Sequence, residues 1–344
     1  MSKTVSATVP QGTKRWSRSV ATSAGGLLKL RVVQLLIVEG VLISAFFVAS
    51  SGMFLNTANV RGMLILASQI LLLAVGQAML MSAGYIDISQ GAALILSAVI
   101  GGNVILAIQD VLPMPLALLL GALIAIVTGG LVGLVNGIMV GVVGINALVT
   151  TLGMLGIATG VAKVVTGGVN LIGLPGALNT SFGVVRFGPF PLPFLVSLAV
   201  ILVIWMLFHF TSWGTHVLAM GSSSSAAHRV GIRTTRNTIG VFVLSSALAG
   251  LAGFIDLARY STTNISGHTN DSLAAIAAAL IGGTLLTGGR INFLGAIIGA
   301  LLAIILLSGL VIINISPFYQ TIAIGAMLLI AVSLDPSNRL RRRG

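Results

Sequence analysis

The glycine-rich segment from Gly282 to Arg290 is the part of this sequence whose spacing comes closest to a phosphate-binding loop. Such a loop ends in Gly-Lys-[Ser/Thr], because the lysine contacts the phosphates and the hydroxyl binds Mg²⁺. The segment here ends in Gly288-Gly289-Arg290 and lacks both residues. The chain therefore has no visible ATPase site. If ATP drives its activity, ATP and Mg²⁺ must bind on a separate subunit.

Metal and nucleophile chemistry have few candidates. The chain contains no cysteine, which removes thiol nucleophiles and cysteine-based metal sites. The histidines lack the spacing of metal ligands. They are His209, His216, His228 and His268. The sequence predicts no catalytic site, no metal site and no cofactor bound by this chain.

Six polar side chains interrupt the apolar segments and are candidates for a translocation path. Amides and hydroxyls inside a helix bundle commonly bridge helices, so helix packing is one interpretation. The other is a polar path that hydrogen-bonds a neutral polyhydroxy solute, which few fixed charges would suit. The candidates are Gln77, Asp87, Asn136, Asn146, Thr150 and Thr151.

Two of the six acids have local interpretations. Asp87 stands three residues before Gln90, the spacing of a helix N-cap with its capping-box partner. Asp256 and Arg259 lie three residues apart at a predicted helix end, which favours a local ion pair. Few acids are then left to couple transport to protons or sodium.

The elements that position these residues are membrane-spanning helices. Hydrophobic residues form 56% of the chain and charged residues only 7%. Apolar runs of about 20 residues recur, long enough to cross a hydrocarbon core of about 30 Å. We expect an all-α polytopic membrane protein with about ten helices, or eight to ten if 88–108 and 272–286 are re-entrant or broken. The segments lie near 32–51, 62–83, 88–108, 116–141, 145–163, 191–211, 237–258, 272–286, 293–313 and 317–334.

Basic residues indicate the orientation. They cluster in residues 1–31, in 229–236 and in 339–343, and basic residues that flank membrane spans stay in the cytoplasm. We expect cytoplasmic basic tails at 1–31 and 336–344 around a transmembrane domain at 32–335. Because the clusters flank apolar helices, we expect no nucleic-acid partner.

Residues 222–232 form a polar, basic segment between two apolar ones. Six predicted spans precede it and four follow it, so it shares the cytoplasmic side with both termini. A membrane protein with so few charges that gathers polarity in one internal segment presents that segment to a partner.

Glycine spacing indicates how the helices pack. Residues four apart share one helix face, and glycine allows a neighbouring backbone to approach closely. Two shorter pairs, Gly156/Gly160 and Gly295/Gly299, repeat the pattern. The longest stripe is Gly129, Gly133, Gly137 and Gly141.

Three ordered motifs carry a family resemblance. Asp271 to Arg290 reads close to "LDAIAAVVIGGTSLSGGRG", and Ser316 to Gln320 matches "SPFWQ". Gly84 to Gly91 is similar to "GGIDLSVG", with Gln77 shortly before it. From about residue 60 to 335 the chain resembles the membrane permease subunits of bacterial ABC importers in the ribose/xylose/autoinducer-2 class, which is related to the branched-chain amino-acid permeases.

The resemblance implies the ABC importer permease fold in the bacterial inner membrane, surrounded by lipid. It also implies ATP-binding subunits, a second permease subunit (identical or a paralogue) and a periplasmic or lipid-anchored solute-binding protein. The solute would be a monosaccharide or related polyol. Alternating access would be driven through a coupling segment at 214–236. Its contact residues would be Ser225, Ala226, Ala227, His228, Arg229, Gly231 and Ile232.

Two departures from the family pattern stand out. Ser225 replaces the usual acid of the coupling segment, which removes one expected salt bridge. Ala147 stands where the family has proline, with Asn146 just before it, and we expect this loss to straighten a helix that is normally broken.

Two other classes remain open from the residues alone. A stand-alone secondary transporter is supported only by a faint echo between residues 84–88 and 253–257, as in duplicated halves. A membrane scaffold without transport would need no ATPase. Uptake by the chain alone, against uptake that requires an ATPase and a binding protein, separates these classes.

Overall fold

The computed structural model describes residues 17–268 and 270–333, with the backbone alone for 17–31 and for 317. Most of this part is helical. The long helices are α1 (Ser17–Ala49), α2 (Thr57–Ser82), α3 (Gln90–Ile108), α4 (Met114–Gly141), α5 (Ala147–Thr166), α7 (Leu192–Phe210), α10 (Thr234–Tyr260), α12 (Phe293–Ile312) and α13 (Pro317–Ser333). The shorter ones are α6 (Gly176–Leu178), α8 (Ser212–Ser222), α9 (Ser224–Arg229) and α11 (Asp271–Ile281), with a 3₁₀ turn at Met53–Leu55 and a π turn at Asn179–Gly183.

The only strands in the described part form a small hairpin between α6 and α7. β1 (Arg186–Phe187) pairs antiparallel with β2 (Phe190–Pro191). The prediction of an all-α polytopic membrane protein is confirmed.

Eight of the described helices are long and apolar enough to cross a membrane. All ten predicted segments contain a helix, but α11 has only 11 residues and α13 only 17. At 1.5 Å per residue, α11 is about 16 Å long, roughly half of a hydrocarbon core. The predicted segment 272–286 is therefore a broken one, while 88–108 is a full helix. Of the predicted tails at 1–31 and 336–344, residues 1–16 and 336–344 lie outside the described residues, whereas the backbone of 17–31 forms the first part of α1.

Polar caps and glycines set the helix limits. Asn56 and Asn292 cap α2 and α12, each accepting a backbone N–H through its side-chain oxygen at 3.0 Å. α11 ends where Gly282 and Gly283 follow, and Gly283 has a φ of +93°, a conformation that other residues rarely adopt. α11 is therefore short because the glycine-rich segment that follows it ends the helix.

The glycine stripe of α4 packs against α10, as the spacing predicts. A side chain at Gly129 would collide with Ser246 and Gly250, and one at Gly133 with Phe242. A side chain at Gly137 would collide with Ile239, whereas one at Gly141 would make a tight contact with Thr235 and Thr238 at 3.3 Å. The two backbones approach so closely that the stripe makes α4–α10 the most extensive helix pair in the described part of the chain.

The two shorter glycine pairs have different outcomes. Gly295 and Gly299 pack on Gly282 and Ala278, as expected. Gly156 and Gly160 have no neighbouring atom within 4 Å of a would-be Cβ, so their predicted packing role within this chain is wrong. Identical spacing creates a smooth helix face, but only the fold decides whether another helix lies on it.

The internal echo between the two halves has no structural counterpart. Residues 84–88 lie in the irregular link between α2 and α3, whereas 253–257 lie inside α10. The same letters therefore occupy unlike conformations, and the echo does not mark a repeat.

Candidate functional site

The predicted coupling segment at 214–236 contains a separate short helix, α9, in which Ala227 is the one buried residue. The Ser223 hydroxyl caps it by accepting the N–H of Ala226 at 3.3 Å. Ala227 is 3% exposed and belongs to the main hydrophobic core, while Ser225, His228 and Arg229 are exposed. A small side chain seats the helix, and its polar residues are left free to meet a partner.

The chain leaves α9 through a tight turn. The N–H of Ile232 donates to the carbonyl of Ala227 at 3.1 Å, and Gly231 takes a φ of +85° between them. This is a helix-ending arrangement for which glycine is the suitable residue. Gly231 and Ile232 therefore shape the segment, and Ile232 packs on the core.

A basic groove of about 670 Å³ adjoins α9. His228, Arg233 and Arg236 contribute to its lining, together with the start of α10. Within the described residues, no carboxylate forms a salt bridge with these side chains or with Arg229. The end of the bundle that carries α9 therefore offers unpaired positive charge, which suits an acidic partner surface.

The glycine-rich segment that superficially resembled a phosphate loop packs directly beside the coupling segment. The N–H of Gly289 donates to the carbonyl of Ser82 at 2.8 Å. A side chain at Gly221 would collide with the backbones of Ser82 and Gly289, and one at Gly288 with the backbone of Gly221. These glycines bring the ends of α2, α8 and the segment after α11 into backbone contact.

A second site is a fully buried polar cluster where α2 gives way to α3. Asp87 Oδ1 accepts from the N–H of Ser89 at 2.7 Å and from the Ser89 hydroxyl at 2.5 Å. The Asn136 amide donates to the Ser89 oxygen at 2.9 Å. Two of the predicted path residues, Asp87 and Asn136, thus meet through Ser89.

The predicted capping box of Asp87 is wrong. α3 begins at Gln90, and the Gln90 amide donates to the Ser245 hydroxyl at 2.7 Å on α10 instead of returning to Asp87. The Asp87 side chain accepts the backbone N–H of Ser89, two residues later, and so forms a side-chain turn just before α3. Asp87 instead stabilises the connection between α2 and α3, and Gln90 links α3 to α10.

Several buried polar atoms of this region have no hydrogen-bond partner in the described part of the chain. They include both amide atoms of Gln77, Oδ2 of Asp87 and Oδ1 of Asn136. Buried polar atoms are nearly always paired, so each exception requires an explanation. Free hydrogen-bonding capacity at these residues is what a polar path requires.

The remaining path candidates lie at the start of α5 and serve that helix locally. Asn146 accepts the N–H of Leu148 at 2.9 Å, and the Thr150 hydroxyl donates to the Asn146 carbonyl at 3.1 Å. Thr151 is buried and donates weakly to Leu148 at 3.3 Å. No hydrogen bond in the described residues joins them to the Asp87 cluster.

The expected straightening at Ala147 is also wrong. α4 ends at Gly141 and α5 begins at Ala147, so the break persists without proline. Asn146 replaces the lost constraint, because its side chain caps the new helix.

Sequence reasoning missed a charged network at the end of the bundle opposite α9. His268 lies between two carboxylates, with Nε2 3.0 Å from Asp256 and Nδ1 2.7 Å from Asp271. The Gln69 amide donates to the other oxygen of Asp256 at 3.0 Å. The network joins α2, α10 and the start of α11. Only the i, i+3 spacing of His268 and Asp271 hinted at it.

His268 lies in the segment that connects α10 to α11. The two carboxylates beside it determine the charge of its side chain. Burial lowers the pKa of His268, but the hydrogen bonds and charges of Asp256 and Asp271 outweigh burial and raise it to about 10. The predicted Asp256–Arg259 ion pair is wrong, because Asp256 pairs with His268. The Arg259 guanidinium instead lies 4.8 Å from the centre of the Tyr260 ring.

The sequence matches a known protein family over most of its length. A model described as "Branched-chain amino acid transport system / permease component" matches residues 59–332. No solved structure gives a significant match.

Curated relatives cover most of the chain. The ribose import permease protein RbsC of Bacillus subtilis is 32% identical over 82% of this chain and 86% of its own length. The D-allose transport system permease protein AlsC of Escherichia coli is 30% identical over 86% and 88%. The xylose/arabinose import permease protein XylH of Sulfolobus acidocaldarius is 30% identical over 86% and 83%.

Proposed function

The chain belongs to the family of branched-chain amino acid transport system permease components, and from this premise we propose that it is the membrane subunit of an ATP-driven monosaccharide importer. It would lie in the bacterial inner membrane as a multi-pass protein. The names of the relatives that it resembles, which include ribose, allose and xylose/arabinose permeases, support a neutral monosaccharide as the solute.

The observation that carries this proposal is the exposed helix α9. Its polar side chains project from an otherwise apolar protein, and its one buried residue, Ala227, fixes it to the core. Because the chain shows no phosphate-binding loop of its own, an ATPase subunit that binds ATP and Mg²⁺ would dock here. Ser225, Ala226, His228 and Arg229 would face its surface.

The basic groove beside α9 supports the cytoplasmic orientation of this end. Arg233 and Arg236 lie at the start of a membrane-spanning helix, where basic residues favour the cytoplasm. Acidic side chains on the ATPase would meet this groove, and the positive charge would speed their encounter. The solute-binding protein would dock on the opposite end.

A second permease subunit would complete the transporter. α5 supports this part of the proposal, because its Gly156 and Gly160 lack neighbours and its Val149, Leu152 and Ile157 are exposed. A helix with a smooth glycine face and exposed apolar residues suits packing against another membrane helix. An identical copy or a paralogue would serve equally.

Transport would follow alternating access. Closure of the ATPase subunits would displace α9, and the backbone contacts of Gly221 with Ser82 and Gly289 would pass the displacement to α2 and α11. The unpaired polar atoms of Gln77, Asp87 and Asn136 would hydrogen-bond solute hydroxyls along the path. Because a monosaccharide is neutral, the path needs few charged side chains to bind it.

Reconstitution tests the proposal. The chain, the ATPase subunit and the binding protein encoded near it would be placed in liposomes and supplied with labelled D-ribose, D-allose or D-xylose. We expect uptake that requires ATP and all the partners. Equal uptake by the chain alone would favour a stand-alone carrier and overturn the proposal.

A further inference from the structure

A second cavity lies at the end of the bundle opposite the coupling segment. It has a volume of about 400 Å³ and is formed by the first turns of α2 and α13 and the last turns of α10 and α12. Ligand cavities for small molecules begin at roughly 300 Å³, so this one suits a small solute.

The polar part of the cavity combines donors with acceptors. Arg259 supplies only donors, Asp271 only acceptors, and Asn270 and Gln320 supply both. Asp271 uses Oδ2 for His268, and the Asn270 amide nitrogen donates to Thr321 at 3.2 Å. In the described residues the Gln320 side chain has no hydrogen bond within the chain, and Arg259 forms no salt bridge. Adjacent hydroxyl groups, which donate and accept at once, match this arrangement.

The rest of the lining is mostly apolar and includes Met63, Leu66, Ile70, Leu307 and Ile324. Asn59 and Ser308 also line the cavity, and the Ser308 hydroxyl donates to the Asn59 side-chain oxygen at 3.3 Å. A lining that combines polar and apolar side chains suits a ligand that carries both hydroxyl groups and C–H bonds.

We propose that this cavity is a binding subsite for one neutral monosaccharide, in which Asp271, Asn270, Arg259 and Gln320 hydrogen-bond its hydroxyls. This inference rests on the proposed function for the class of solute. It assigns the solute a place at the outer end of the permease, before the Gln77–Asp87–Asn136 path.

The position of Asp271 connects the subsite to the coupling end. Asp271 is the first residue of α11, and the segment that follows α11 contacts Gly221 through Gly288. Asp271 is also held by His268, which is fixed to α10 through Asp256. A solute that hydrogen-bonds Asp271 therefore contacts the helix that leads to the coupling segment.

A filling substitution tests the subsite. Gly62 lines the cavity in the first turns of α2, and a Cβ there would meet no atom within 4 Å, so the side chain of Gly62→Leu starts in open space and should fill part of the cavity. Gly40→Leu is the matched control, because Gly40 also lies in a helix with nothing within 4 Å of a would-be Cβ but is not among the residues that line the cavity. Gln320→Ala is a second variant, which removes an amide that bonds nothing in the described chain.

The measurement is equilibrium binding of labelled D-ribose, D-allose, D-xylose and D-galactose to the full chain in nanodiscs. We expect saturable binding of at least one sugar by the wild type and by Gly40→Leu, a loss of at least about tenfold in affinity for Gly62→Leu, and a smaller loss for Gln320→Ala. Unchanged binding by both cavity variants, or no binding of any of the four sugars by the wild type, would overturn the subsite.

The proposed function and the subsite are tested by different measurements, so either can fail without the other. It depends on ATP-dependent uptake by the assembled complex, whereas the subsite depends on binding to the permease without ATP. Intact uptake with unaltered binding in Gly62→Leu would reject the subsite alone. Sugar binding that is lost in Gly62→Leu, without any ATP-dependent uptake by the wild type, would reject the proposed function alone.

Discussion

The backbone N–H of Gly289 donates to the carbonyl oxygen of Ser82 at 2.8 Å, and this bond ties the segment after α11 to the end of α2. Gly221 of α8 is pressed against both residues, three positions before α9 begins. Three parts of the chain that are distant in sequence thus meet through their backbones beside α9. We therefore expect a displacement of α9 to reach α2 and the segment after α11 through Gly221.

Gly221→Ala tests this junction. The added methyl would collide with the backbones of Ser82 and Gly289, and overpacking of this kind costs about 1–3 kcal/mol. We expect a lower melting temperature in detergent and weaker solute-stimulated ATPase activity in the complex. Gly153→Ala, in a helix with no atom within 4 Å of the new Cβ, should leave the ATPase activity unchanged and the melting temperature unchanged or slightly raised, because alanine favours helix over glycine. A normal Gly221→Ala complex would contradict a transmitting role.

Arg229→Glu tests the docking surface. Arg229 is exposed and unpaired in the described residues, so the permease alone should keep its stability within about 0.5 kcal/mol. Reversal of a charge at an interface should lower affinity for the ATPase by about tenfold, equivalent to about 1.4 kcal/mol. Pull-down with the ATPase and solute-stimulated ATP hydrolysis measure this. The matched control is Arg186→Glu, on the exposed hairpin. Equal effects of both variants would point to net charge and not to the α9 contact.

The helices were predictable where their signals are local. Apolar runs located all ten segments, and the four-residue spacing of Gly129 to Gly141 identified the face that α10 covers. The capping role of Asn146 was also visible, because asparagine directly before an apolar run is a common N-cap.

The site was less predictable because its partners are far apart in sequence. Gln69 reaches Asp256 across 187 positions, and no spacing rule connects them. Asp256 was assigned to Arg259 because only a local partner can be read from a sequence. The predicted packing role of Gly156 and Gly160 was wrong for the same reason, because glycine spacing defines a helix face but not the helix that packs on it.

Gly129→Ala tests the backbone contact between α4 and α10. A Cβ at Gly129 would collide with the carbonyl of Ser246, so we expect a loss of about 1–3 kcal/mol in the free energy of unfolding. Gly130→Ala is the matched control on the adjacent position, where the nearest atoms are 3.9 Å away. It should be neutral or stabilising by up to about 1 kcal/mol, because alanine favours helix over glycine. Unfolding in mixed micelles compares the pair, and equal losses would contradict the close approach.

The pH dependence of stability tests the His268 network. The pKa of His268 is raised from 6.5 to about 10 in the folded protein, so its contribution to stability is fully present below about pH 6.5 and is lost as the pH rises towards 10. We expect the melting temperature of the wild type to fall between pH 7 and pH 10 more steeply than that of His268→Gln, which cannot be protonated in this range. His216→Gln, remote from both carboxylates, should keep the wild-type slope. Parallel melting curves for wild type and His268→Gln would mean that His268 is neutral between Asp256 and Asp271, and the charged network would be rejected.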